Sequence, residues 1–310
     1  MRRNSVTHIW VGRGSFMESL VQYGVDALSL GSLNALLALG VAVIFGIMRL
    51  INFAHGDLIM IGAYGLFFLG ALPFPIIAIG TVIFTVVLAL GMDRIAFRPL
   101  RGADPATLLV ASFALSFFLQ NGAILVVGSQ PKGVRLPEFL SGYVTLSGVR
   151  VPTLSLITIV TTLTLLIAIG LFFKRTSLGI YMRAAAEDFE IARLMGVRAN
   201  VVVATAFALS GALAGVAAIL LVSQTATIHP AMGVTPILVA FVATIIGGVG
   251  SLTGAVLGGI LLGVVTVFLQ AVLPLELRVY RDAFAFGAVI LILIVRPGGL
   301  MVARAMKSRV

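Results

Sequence analysis

From Val25 to Val295 the chain is a succession of apolar runs separated by short polar connectors. The runs cover Val25–Met48, Leu58–Leu72, Ile76–Met92, Thr107–Val127, Thr153–Phe173, Val201–Val222, Ile237–Val272 and Ala283–Val295. About 20 apolar residues in a helix cross a bilayer, so most of these runs are of membrane-span character. The composition leaves no other solvent. The 310 residues are 60% hydrophobic and 10% charged, against about 25% charged in a soluble domain. Such a chain cannot cover a water-facing surface. The expected fold is all-α: a polytopic transmembrane helix bundle of about 8–9 membrane segments, one or more of them broken or re-entrant.

The domain organisation follows from the same pattern. Residues 1–17 read as a polar N-terminal tail, 18–300 as a single transmembrane domain and 301–310 as a basic tail. The start, MRRNSVTHIWVGRG, has no apolar core of signal-peptide length, so no cleavage is expected there. The net charge of +10 does not make a nucleic-acid face, because the basic residues sit in connectors. Three regions are strongly basic: the connector at 93–104, an insertion at 174–200, and the tail from 296. By the positive-inside rule all three are expected on the cytoplasmic side. Counting three crossings back from Asp93 puts the N-terminus outside, against that rule, since Arg2, Arg3 and Arg13 lie on it. A re-entrant early run would remove the conflict; the other reading is that the rule fails at this end, and the first two runs, each long enough to span, favour that reading with the N-terminus outside.

The candidate for that run is IFGIMRLINFAHGDLIMIGAY, Ile44 to Tyr64, where Arg49, Asn52, His55 and Asp57 interrupt apolar sequence. Ionisable groups are costly in lipid and are held in protein or in water. The stretch is therefore either a short loop at a membrane surface or an interrupted helix facing a cavity. Asp57 begins an apolar run, where a carboxylate suits a helix start; a gate or pathway role is the other reading of Asp57 and His55. The first two runs, taken as full spans, place this knot at the cytoplasmic surface or dipping in from it.

Further along, Gln120 and Asn121 stand side by side in the fourth run. Adjacent helical residues point about 100° apart, so at most one faces a pathway squarely. The portion YVTLSGVRVP, 143–152, suits a small hairpin. Lys174–Asn200 is too polar to span. Within it Tyr181–Met195 reads as one surface helix, with Ala185, Phe189 and Ala192 on one side, Arg183 and Glu187 on another, and Gly196 as the stop. The run at 237–272 is too long for one span and breaks at Gly247-Gly248-Val249-Gly250-Ser251. Gly250, Gly254 and Gly258, with Gly259 and Gly263, recur every fourth residue, the spacing of a helix-packing stripe.

Several chemistries are excluded. There is no cysteine, and His8, His55 and His229 are too scattered for a metal site. No phosphate-binding G-x-x-x-x-G-K-[ST] loop occurs, and no nucleophile–base pair suggests catalysis. The spans carry too few carboxylates for an ion-driven carrier, the rival transport class. The polar insertion instead suits a soluble motor acting from the cytoplasm.

Six segments together resemble a known family: GIMRLINFAHGDLIMIGAY, LQN at Leu119–Asn121, RAAAEDFEIARLMGV at Arg183–Val197, GGVGSLTGAVLGG at Gly247–Gly259, Arg281-Asp282, and RPGGL at Arg296–Leu300. The chain resembles the permease subunits of branched-chain amino-acid ABC importers, of the LivH type. The resemblance implies a bacterial inner-membrane permease without catalysis of its own. It implies a second homologous permease subunit, two cytoplasmic ATPase subunits carrying ATP and Mg, and a periplasmic solute-binding protein. It makes Arg183, Ala184, Ala185, Ala186, Glu187, Asp188 and Gly196 the ATPase-coupling segment. Asn52, His55, Asp57, Gln120 and Asn121 become pathway or gate candidates. Asn34 and the ILVAF at 237–241 depart from the family pattern. Urea, short amides and aromatic acids therefore stand beside branched-chain amino acids as cargo.

Overall fold

The structure, a computed structural model, describes residues 13–146, 149–295, 299 and 301. Most of the expected N-terminal and basic tails, and all of RPGGL but Gly299, lie outside the described residues. The elements in order are α1 (Arg13–Met48), α2 (His55–Phe68), α3 (Phe74–Met92), α4 (Pro105–Val127), β1 (Lys132–Gly133), β2 (Tyr143–Leu146), β3 (Val149–Pro152), α5 (Thr153–Arg175), α6 (Ser177–Glu187), α7 (Phe189–Leu194), α8 (Ala199–Thr225), β4 (Thr227–Ile228), α9 (Val234–Gly247), α10 (Leu252–Val272) and α11 (Arg281–Val295). The fold is a polytopic helix bundle with two small two-stranded sheets beside it. Six stretches are long and apolar enough to cross a membrane: 20–48, 74–100, 105–127, 153–175, 199–225 and 252–272.

Local chemistry sets most boundaries. Proline fixes its own φ and lacks an N–H, so it favours a helix start; Pro73 precedes α3 and Pro105 opens α4. Asp104 caps α4, accepting from the Thr107 N–H at 3.0 Å. That bond holds its carboxyl below the usual carboxylate range. The hairpin at 143–152 forms as β2 against β3, Val144 opposite Val151. The break after Ile246 is a turn in which Gly248 and Gly250 have φ of 104° and 89°, and Ser251 caps α10 through the Gly254 N–H at 3.0 Å.

Two sequence expectations fail here. The insertion does not hold one helix over Tyr181–Met195. It holds α6 and α7, broken at Asp188. Asp188 has an extended backbone (φ −147°), and its side chain accepts from the N–H groups of Glu190 and Ile191, both at 3.0 Å. Aspartate competes with the helix for backbone donors, and here it wins. The second apolar run is not a full span either. α2 has 14 residues, about 21 Å long at ~1.5 Å per residue, short of the ~30 Å hydrocarbon core. In addition, α1 begins at Arg13, inside the expected polar tail.

The helices pack as two interleaved triplets. In each, a long helix is followed by a break, a 14-residue helix, a tight turn and a long helix: α1–α2–α3 and α8–α9–α10. α1 runs antiparallel to α10, with Gly263 against Gly31 and Gly259 against Ala35. α8 runs antiparallel to α3, with Gly215 against Val82 and Gly211 against Val86. The short helices form antiparallel hairpins with their successors, Gly62 facing Thr85 and Gly247 facing Gly254. Gly56 of α2 and Gly233, immediately before α9, meet where the triplets cross. At the same offset Ala54 pairs with Ala231, Ala63 with Ala240, and Tyr64 with Phe241. This is an inverted repeat, which sequence inspection missed because so few identities carry it.

Connecting contacts sort the ends. Arg101, after α3, bonds Asn200 at the start of α8 and is paired with Asp93. Arg49, after α1, lines one cleft with Arg101 and Glu187. These residues share one end of the bundle, called here the basic end. α9 runs parallel to α1, so the Gly247–Ser251 turn lies there too. β1, the hairpin and β4 lie at the opposite end.

Candidate functional site

The polar knot is buried, not interfacial: Asn52, His55 and Asp57 are 4%, 1% and 2% exposed. α1 ends at Met48, and Arg49 turns the chain with φ 51°, a left-handed value usual for glycine at a helix end. Residues 50–54 then re-enter the bundle. His55 reaches the level of Gly40, eight residues before the end of α1, about 12 Å in from the basic end. α2 thus starts at depth and runs to the far end. The α8–α9 connection mirrors it from the other side, through β4, His229 and Pro230, down to Gly233. The N-termini of two half-length helices therefore meet inside the bundle.

Each of the three buried polar residues of the knot has a definite partner. Asn52 Oδ1 accepts from the Ala54 N–H at 3.1 Å, fixing the turn. His55 Nδ1 lies 2.9 Å from Ser210 Oγ, which is 3.0 Å from the Gly40 carbonyl oxygen. The Ser210 hydroxyl donates to that carbonyl, and His55 Nδ1–H donates to Ser210, the tautomer that satisfies all three groups. His55 Nε2 then has no partner among the described residues and faces Gly40. These bonds tie the re-entrant loop to α8 and α1. Ser112 of α4 ties it from a third side, accepting from the Phe53 N–H at 3.4 Å. The Phe53 ring stacks on Phe113 of α4 at 4.1 Å between centroids.

A cavity of about 260 Å³ lies beside this junction. Its walls are Phe53, Gly56 and Asp57 from the knot, Phe113, Ser116 and Gln120 from α4, and Gly233, Val234, Ile237 and Leu238 from α9. Gln120 Nε2 donates to Asp57 Oδ1 at 2.9 Å and to Ser116 Oγ at 3.1 Å. The structure thus joins Asp57 and Gln120, 63 positions apart, in one wall. It separates Asn121, whose Nδ2 donates to Phe117 O of its own helix at 2.7 Å. Ser116 and the α9 start belong to the site although nothing in their local sequence pointed there. Gly233 could have been found by aligning the two halves on Gly56.

The expected coupling segment also acquires a shape. Ala185 and Ala192 are buried against the bundle, while Arg183 and Glu187 are exposed and form no ion pair among the described residues. Gly196 ends α7 with φ 88°. A second cleft, about 410 Å³, runs from Arg49 and Arg101 to Glu187, Asp188 and Glu190. In the glycine stripe, Gly254, Gly258, Gly259 and Gly263 make close backbone approaches, whereas Gly250 meets nothing within 4 Å and serves the turn. Among the described residues no cluster of histidine and acidic residues suits a metal ion.

Comparison with known proteins identifies the family. Residues 24–295 match the family model described as the branched-chain amino acid transport system permease component. The chain is 36% identical over 295 residues to the high-affinity branched-chain amino acid transport system permease protein BraD of Pseudomonas aeruginosa, covering 91% of this chain and 95% of the relative. It is 31% identical over 297 residues to the permease protein LivH of Escherichia coli K12, with the same coverage of 91% and 95%. A solved structure titled PsaBC from Streptococcus pneumoniae in complex with Fab is 15% identical, with a TM-score of 0.48 over 92% of this chain and 96% of that one. With a multi-pass bundle and a family match across nearly its whole length, this chain belongs to the permease-component family of branched-chain amino acid transport systems.

Proposed function

We propose that the chain is the membrane-crossing subunit of an ATP-driven importer of branched-chain amino acids in a bacterial inner membrane. The basic end faces the cytoplasm by the positive-inside rule. The observation that carries the reading is the α6–α7 elbow at that end. It exposes Ile191, Leu194 and Met195 beside Arg183 and Glu187. Contiguous exposed apolar side chains with a charged rim favour a protein partner, here an ATPase subunit that carries ATP and Mg. A second permease subunit covers the exposed face of α4, where Phe117, Leu125 and Val126 stand out. A soluble binding protein delivers the solute at the opposite end. The chain itself performs no catalysis and binds no cofactor.

The cargo is drawn from the relatives, whose names specify branched-chain amino acids. The test is reconstitution of the chain with its partner permease, ATPases and binding protein in vesicles. Uptake of leucine that needs ATP and survives collapse of ion gradients supports the reading. Uptake that needs no ATPase defeats it in favour of an ion-coupled carrier. Uptake of urea, short amides or aromatic acids in place of leucine keeps the importer and changes its cargo. Glu187→Lys and Gly196→Pro are each expected to uncouple hydrolysis from uptake, and normal transport in both sinks the coupling role.

A further inference from the structure

The cavity between α2, α4 and α9 contains polar groups whose bonding capacity is unequally used. Gln120 spends both amide hydrogens, on Asp57 Oδ1 and on Ser116 Oγ. Its carbonyl oxygen receives no hydrogen bond among the described residues. Asp57 Oδ2 is buried and likewise has no partner there. Two acceptors are therefore left without a donor, one of them on a carboxylate 2% exposed. The lining holds no lysine, arginine or histidine. A buried carboxylate without a counter-charge is costly, and a cation with hydrogens to donate would relieve that cost.

Across the cavity the polarity reverses. Gly233 and Val234 line it at the N-terminus of α9, and no side chain caps that helix or places an acid in its first turn. The Val234 N–H is engaged by Ala231, so what the helix end offers is its positive field. α2 differs from α9 here, because Asp57 sits in its own first turn. Between the two poles lie Phe53, Phe113, Ile237 and Leu238. The volume of 260 Å³ equals about nine waters at ~30 Å³ each, room for a solute of about that many heavy atoms. An anionic pole, a positive pole and an apolar wall match one chemical class, the zwitterion of an α-amino acid with an aliphatic side chain.

We infer that this cavity is a stop on the translocation route that reads the amino-acid zwitterion directly. Asp57 and the Gln120 carbonyl receive the α-ammonium. The start of α9 faces the α-carboxylate, and Phe113 and Ile237 cover the side chain. The inference rests on the amino-acid permease reading, but adds a selection step inside the membrane, separate from the soluble binding protein.

The test measures equilibrium binding of radiolabelled leucine, isoleucine and valine to the purified permease–ATPase complex in detergent, with the binding protein omitted. At least one is expected to bind, and the hydroxy acid bearing leucine's side chain, which lacks the ammonium, is expected not to compete. Asp57→Asn keeps the shape and an oxygen for Gln120 but loses the charge, so binding is expected to fall about tenfold or more. Asp57→Glu is expected to retain part of it. Gln120→Leu, which leaves Asp57 in place, is a second variant and is expected to weaken binding several-fold. Assembly of each is checked by size-exclusion chromatography; if Asp57→Asn does not assemble, Gln120→Leu decides. Binding to none of the three amino acids, effective competition by the hydroxy acid, or unchanged affinity in the variant that assembles overturns the inference. Vesicle uptake by the parent transporter separates the two ideas. No uptake defeats the importer reading, whereas uptake with unaltered binding in Asp57→Asn defeats only this one.

Discussion

The seam between α1 and α10 allows a graded prediction about stability. At Gly259 an added Cβ would press on the backbone of Ala35, and even the third-nearest atom, the Asn34 carbonyl carbon, would lie 2.7 Å away. At Gly31 the nearest atoms, the carbonyl oxygen and Cα of Ile260, would lie at 3.0 and 3.1 Å. At Gly46 nothing lies within 4 Å. All three sit inside helices with ordinary backbone, so alanine is acceptable locally and only the neighbour decides. To bring the Ala35 Cα from 2.5 Å to ordinary contact at 3.4 Å, Gly259→Ala must push α10 off α1 by about 0.9 Å, which costs nearby pairs a quarter to a half of their dispersion energy. Because backbone stands on both sides, no rotamer can relieve it. The cost belongs near the top of the overpacking range, about 3 kcal/mol. Gly31→Ala needs a shift of a few tenths of an ångström and should cost about 1 kcal/mol. Gly46→Ala relieves a helical glycine and should gain up to about 1 kcal/mol. At about 2–4 °C per kcal/mol, thermal unfolding of the purified chain in one detergent should rank Gly46→Ala above parent, then Gly31→Ala, with Gly259→Ala lowest. Equal melting temperatures for Gly259→Ala and Gly46→Ala would refute the close-approach argument.

Three further perturbations probe other contacts. Ser210→Ala removes the partner of His55 Nδ1 and the donor to Gly40 O, leaving buried groups unmatched; a loss of about 1–3 kcal/mol is expected, and an unchanged thermal midpoint would count against the assigned bonds. Asp188→Ala deletes the cap of α7 and should cost about 1 kcal/mol locally, read as faster amide exchange at Glu190 and Ile191. Equal protection in both proteins would mean the cap is idle. Arg101→Leu breaks the contacts to Asp93 and Asn200 that hold the α3 end to the α8 start. With the pair mostly buried, about 3 kcal/mol is expected to be lost, and Asp93→Asn in the same background should add little if the two act as a unit.

Much of this molecule was legible along the chain because the bilayer imposes local rules. Spans, the glycine break after Ile246, the hairpin at 143–152 and the stop at Gly196 each follow from residues near in sequence. Burial of the knot, the half-length of α2 and the elbow at Asp188 did not. An apolar run reads the same whether it crosses fully or begins at mid-depth, and Asp188 reads as a helix acid until its side chain is seen to take the backbone donors.

The stretch at Ile44–Tyr64 shows the division most clearly. Its polar residues alone determined that the chain must hide charge from lipid there. Whether it did so in a surface loop or a re-entrant one was decided by groups far away in sequence. Ser210, Gln120 and Gly233 supply the partners of His55, Asp57 and Gly56. A hydrogen bond needs about 3 Å of approach, and only the crossing of the two inverted triplets brings those groups so close.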